Sequence, residues 1–151
     1  MVKLITSIAG IIRIMAIWAL ILGILNLANS LILTLAVGVE TNQDGNQMRI
    51  WLGFGMGIVF GVGFFLSAYG LWTYQSWGRT LFLWVITAWA AFTIIGLGLS
   101  AGQYEVGALA VNIVRYAVTL LIPLWYFHRP EVKAFFEQNK NIDEEIRGMN
   151  N

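Results

Sequence analysis

The chain is expected to be all-α: an antiparallel bundle of four transmembrane helices, followed by a short cytoplasmic amphipathic helix. Three observations predict this fold. The apolar share is 58% and the charged share 11%, against roughly 45–50% and about 25% in a soluble domain. At 151 residues, the chain is too short to hide that excess in a water-soluble core, because small domains leave much of their surface in solvent. The mean hydropathy of +0.72 is concentrated in continuous apolar runs, each near the roughly 20 residues a helix needs to cross the hydrocarbon.

The runs are Ile14 to Val37, Trp51 to Tyr74, Thr80 to Ser100 and Ala108 to Phe127. Barrel strands would alternate in polarity and be about half as long, so helices are expected. Gly38 to Ile50 is a polar connector with the turn-forming pair Asp44-Gly45. Gln75 to Arg79 (QSWGR) reads as a tight turn, and Ala101 to Gly107 is short and carries Glu105. Connectors of these lengths place each helix beside the next. Residues 1–128 are thus expected to form the transmembrane domain and residues 129–151 a cytoplasmic tail.

Basic residues orient the bundle. Lys3, Arg13, Arg79, Arg129, Lys133, Lys140 and Arg147 fall on one side, and Arg49 alone on the other. By the positive-inside rule both termini are cytoplasmic, most simply in a bacterial inner membrane. The first apolar run, 24 residues long, exceeds the roughly 7–15 of a signal-peptide core, so span 1 is expected to be retained. Leu4 to Ile12, also apolar, either extend that helix or lie at the interface.

Arg115 is the sharpest chemical feature. It falls near the middle of span 4, where insertion scales charge about 2.5–3.5 kcal/mol for an arginine. Asn112 and Thr119 lie about one turn to either side. No Asp or Glu lies within the spans, so Arg115 is expected to face inward onto neutral groups. Asn26 and Asn29 of span 1 are the preferred partners. Helical rise puts Asn26 about 20 Å, and Arg115 about 18 Å, from the cytoplasmic side. Arg115, Asn112, Asn26 and Asn29 therefore form the candidate intramembrane polar site. Its readings are an anion or lipid-phosphate site, a bridge to another subunit, or an arginine saturated by amides for structure alone. Asn26, Asn29 and Ser30 read equally as hydrogen-bonding glue between helices.

Span 2 is glycine-rich. Gly53, Gly57 and Gly61 form a ladder at small-xxx-small spacing, the candidate helix-packing face, and Gly63, Ser67 and Gly70 form a second stripe. Such stripes let helix backbones approach closely, so span 2 is expected between two neighbours. Of the tryptophans, Trp51, Trp72, Trp77 and Trp125 suit an interfacial belt. Trp89 lies deep, and its indole N–H needs an acceptor. Pro123 removes a backbone hydrogen bond inside span 4 and favours a kink. In the tail, Pro130 suits a first helical position, and Val132, Phe135, Phe136, Ile142 and Ile146 fall near one face. With four basic and five acidic residues from His128 onward, the tail is no polybasic anchor. Its phenylalanines are expected on headgroups or on a partner.

Composition excludes much chemistry. Without cysteine there is no disulfide, thiolate or zinc–cysteine site, and one histidine cannot build a multi-histidine metal site. No metal, cofactor or catalytic set is expected, and a net charge of +1 gives no footprint for nucleic acid.

Ala68 to Trp84 (AYGLWTYQSWGRTLFLW) and Leu120 to Phe136 (LLIPLWYFHRPEVKAFF) resemble small uncharacterised four-helix bacterial integral membrane proteins, a domain-of-unknown-function class. In these a GLW…WGR turn joins helices 2 and 3, and helix 4 ends in a phrase like YL…RPEVKAFF. The resemblance implies architecture and carries no activity. Small multidrug-resistance proteins fit poorly, because they need a glutamate in helix 1. Fluoride channels fit poorly too, because Arg115-Tyr116 lies in the last span with the wrong spacing. The sequence therefore points to a non-enzymatic accessory, assembly or interaction subunit, whose partners are the lipid bilayer and other membrane subunits or itself. The alternative is a small oligomeric transporter or channel built around Arg115.

Overall fold

The computed structural model describes residues 2–38, 47–99 and 106–149. They form helices α1 (Val2–Gly38), α2 (Gln47–Trp72), α3 (Ser76–Leu99), α4 (Val106–Phe127) and α5 (Pro130–Met149), and no strand occurs among the described residues. Four helices contain segments long and apolar enough to cross a membrane: Thr6–Ile32, Trp51–Trp72, Ser76–Gly98 and Ala110–Phe127. The protein is a multi-pass membrane protein built as a helical bundle. The Asp44-Gly45 turn and Glu105 lie outside the described residues.

α1 runs for 37 residues, about 55 Å by helical rise, well beyond a hydrocarbon core of about 30 Å. Arg13 marks where the excess begins, with its guanidinium 5.7 Å from the ring centroids of both Trp72 and Tyr74. The helix does not stop at that charge. Of the two outcomes open to Leu4–Ile12, continuation of the helix is the one found. Ile12 is fully buried, and Ile8 and Ile11 pack against the same cluster as Phe127, Val132 and Phe136.

α1 and α2 form the closest pair in the bundle. A Cβ added at Gly57 would strike the Ser30 hydroxyl, and one at Gly61 would meet Leu27 Cγ at 2.6 Å. Gly23 completes the seam from the α1 side, lying 3.2 Å by the same measure from the Gly61 carbonyl. The opposite stripe of α2 meets α3: Gly63 faces Val85, and Gly70 faces Gly78. Ser67 is fully buried between these positions. Its hydroxyl donates to the Gly63 carbonyl at 2.7 Å, so no polar group is stranded there.

The α2–α3 turn is tighter than the sequence suggests, with only Thr73–Gln75 between the helices. Trp77, Gly78 and Arg79, expected in the connector, belong to the first turn of α3, where the Gly78 N–H donates to the Gln75 carbonyl. α2 ends in a Schellman motif: the Tyr74 N–H bonds the Leu71 carbonyl and the Gln75 N–H the Gly70 carbonyl. Tyr74 sits at φ 55°, a left-handed position where glycine is usual and a bulky residue is strained. Its ring is nevertheless used, edge-on to Phe135 at 5.4 Å and beside Arg13.

α5 begins at Pro130 as expected, with Glu131 in its first turn, a favourable place for negative charge. The expectation that its phenylalanines rest on headgroups or on a partner is corrected. Phe136 is 1% exposed and packs on Phe127 at 6.3 Å, and Val132 is buried with it. A two-residue link leaves α5 beside the end of its own bundle, so that apolar surface is nearer than any other. The side chains of Ile142 and Ile146 lie outside the described residues. α4 runs unbroken through Pro123.

Candidate functional site

The polar centre of the bundle is built on Asn26 and Trp89. Trp89 projects from mid-α3 between Phe64 of α2 and Tyr116 of α4, with ring centroids 6.0 and 5.5 Å away. Its indole N–H donates to Asn26 Oδ1 at 3.0 Å. The Asn26 amide nitrogen in turn donates to the Leu22 carbonyl of its own helix at 2.8 Å. The carboxamide thus answers the acceptor that a deep indole requires, and it ties α1 to α3 across α2.

Beside this pair a cleft of about 450 Å³ opens between α1, α2 and α3. Asn26, Asn29, Ser30 and Thr93 supply its polar wall, and Phe60 and Phe92 its apolar one. Gly53 and Gly57 form part of the α2 side. The Thr93 hydroxyl donates to the Trp89 carbonyl, which leaves its oxygen as an acceptor beside the exposed Asn29 amide in the cleft wall. The arrangement can hold a small polar group by hydrogen bonds. It offers no carboxylate, imidazole or thiol for proton transfer among its lining residues.

Arg115 is not part of this cleft. It is exposed on α4, and its expected partner Asn26 is occupied by Trp89 and Leu22. Helical geometry explains the correction. Tyr116 points at Trp89, and the preceding residue lies about 100° around the helix, so Arg115 is turned off the α3 contact. The expected α1–α4 contact is also thin. It is recorded near the bundle end, where the Tyr126 hydroxyl donates to the Ile8 carbonyl at 3.4 Å. α4 lies chiefly against α3. Asn112 is half-buried, and Thr119 donates to the Arg115 carbonyl at 2.8 Å.

A ring of cations sits at the end where α3 begins and α4 finishes. Arg13 lies between Trp72 and Tyr74, Arg79 over Phe136 at 5.7 Å, and Arg129 over Trp125 at 3.7 Å. Interfacial tryptophans with stacked arginines mark the headgroup level. Sequence reasoning used Arg79 only for orientation, although its position at the head of an apolar span was a usable signal. No family model, curated protein or solved structure matches this chain.

Proposed function

We propose that the protein is a non-enzymatic subunit of a bacterial inner-membrane assembly, joined to a partner through the face of α4 that carries Arg115. The exposed Arg115 is the observation that carries this reading. It lies twelve residues before Phe127, about 18 Å along the helix, on a span packed along one side. Around it Val111, Val114 and Val118 are exposed at 69%, 61% and 47%. An arginine left in lipid costs about 2.5–3.5 kcal/mol. A neighbouring helix offering a carboxylate at that depth removes the cost. The chain has no such carboxylate in its own spans, so a different protein suits the position better than a second copy.

Native mass measurement after extraction in mild detergent is expected to find a hetero-complex. Arg115→Leu should insert and keep its thermal stability, since replacing a poorly compensated charge by an apolar group is often neutral or favourable, but it should lose the partner. A wild-type monomer, or a variant that keeps the partner, sinks the reading.

The alternative, a small oligomeric transporter or channel, draws support from the open cleft at Asn26, Asn29 and Thr93 rather than from Arg115. In both readings the termini are cytoplasmic, following the lysine and arginine bias. Cysteines placed at Asp44 and at Gln138 should then react with impermeant reagents from opposite faces of sealed membranes. Reaction of both from one face overturns the arrangement of spans.

A further inference from the structure

At the cation-lined end of the bundle, a second cavity of about 370 Å³ lies between the start of α3, the end of α4 and the start of α5. Its walls include Arg79, Lys133 and His128, with Leu83, Trp84 and Thr87 deeper along α3. No carboxylate lines it among the described residues; Glu131 and Glu137 of α5 are exposed and lie outside it. The Arg79 guanidinium rests on the Phe136 ring, and its Nε and Nη1 are shielded from solvent without any hydrogen-bond partner. Buried guanidinium donors are costly to leave unmade, and two full cations with no acid between them call for an anion. His128 donates through Nδ1 to the Leu124 carbonyl at 2.7 Å, which leaves Nε2 as the ring's remaining polar atom.

The shape identifies the anion. Arg79 sits at the head of α3, at the same end of the bundle as Arg129, which stacks on Trp125 at the close of α4. From Arg79 to Thr87 the cavity wall descends about 12 Å along the apolar span, and Trp84 is 72% exposed. A free phosphate would use only the mouth, whereas a phospholipid fills both zones. A zwitterionic headgroup would bring a further cation to a site that already holds two. We propose that this cavity binds the phosphate of an anionic phospholipid through Arg79 and Lys133, with an acyl chain against Leu83 and Trp84. The site is separate from the Arg115 face and does not depend on it.

The test uses the full-length protein in mild detergent, titrated with phosphatidylglycerol, phosphatidylcholine or inorganic phosphate, with bound lipid read by native mass and by thermal shift. Phosphatidylglycerol should be retained and raise the melting temperature, while the other two should not. Arg79→Gln and Lys133→Gln should each weaken its binding about five- to tenfold, the effect of one interfacial cation. Arg129→Gln, stacked on Trp125 outside the cavity, should leave it unchanged. Should Arg79→Gln fail to fold, Lys133→Gln, on an exposed position, decides. Equal binding of phosphatidylcholine overturns the proposal, as does an equal response to inorganic phosphate, which would indicate a soluble anion. Unchanged affinity in the Lys133 variant also overturns it.

Discussion

Gly78→Ala is expected to lower the melting temperature in mild detergent sharply, with a cost at or above the about 1–3 kcal/mol typical of overpacking. The new Cβ would collide with the carbonyl carbon of Gly70 and stand 2.7 Å from the Leu71 nitrogen. Both obstacles are main chain, so no rotamer change relieves them. The three-residue turn, held by paired hydrogen bonds to Gly70 and Leu71, cannot open without breaking them. Gly57 differs in part: the Ser30 hydroxyl can turn aside, but the Ser30 Cβ, 2.8 Å from the new Cβ, is fixed by its backbone. Gly98→Ala supplies the control. Nothing lies within 4 Å of a Cβ there, and alanine in a helix is favoured over glycine by about 0.5–1 kcal/mol. The two variants should shift in opposite directions. A shared direction would mean that α2 and α3 do not approach as described.

Phe64→Ala should cost more, about 3–5 kcal/mol by the measure of buried aromatic truncations. Phe64 is fully buried and meets Phe82 and Trp89 edge-on at 6.4 and 6.0 Å. It also closes the α1 seam, with its Cβ 3.4 Å from the position of a Cβ on Gly23. Inside a membrane the driving force is packing rather than escape from water, and a void walled by three helices has no lipid to fill it. Ile95→Ala, at a position 62% exposed, should change the melting temperature little. If both truncations cost the same, Phe64 is not at the centre of the bundle.

Much of the architecture was legible because crossing a membrane constrains length and polarity along the chain. The four runs are apolar over the required distance, and the two stripes of α2 differ in which residues are small. The need of Trp89 for an acceptor could also be stated from its depth. What was hidden was azimuth. Asn26 and Arg115 match in depth, but depth does not say which way a side chain points around its axis. The contact between Trp89 and Tyr116 settles that, and it turns Arg115 outward. The tail failed for a related reason. Phe135 and Phe136 announce an apolar face, yet headgroups, a partner and the chain's own Phe127 all satisfy such a face. For Leu4–Ile12 two outcomes stayed open in the sequence, and the cover that Ile8, Ile11 and Ile12 find in the cluster of Phe127, Val132 and Phe136 decides for a continued helix.

The packing order of the helices bears on how the chain is made. α1 finds its main contact in α2, α2 adds α3, and α3 adds α4, so each principal partner is already present when the next span leaves the ribosome. Contacts between neighbours in sequence close short loops and form quickly. The glycine seams can therefore lock during synthesis, before α4 exists. Arg115 then arrives on the last of the four spans, a helix still open along one side while the three spans before it are already packed.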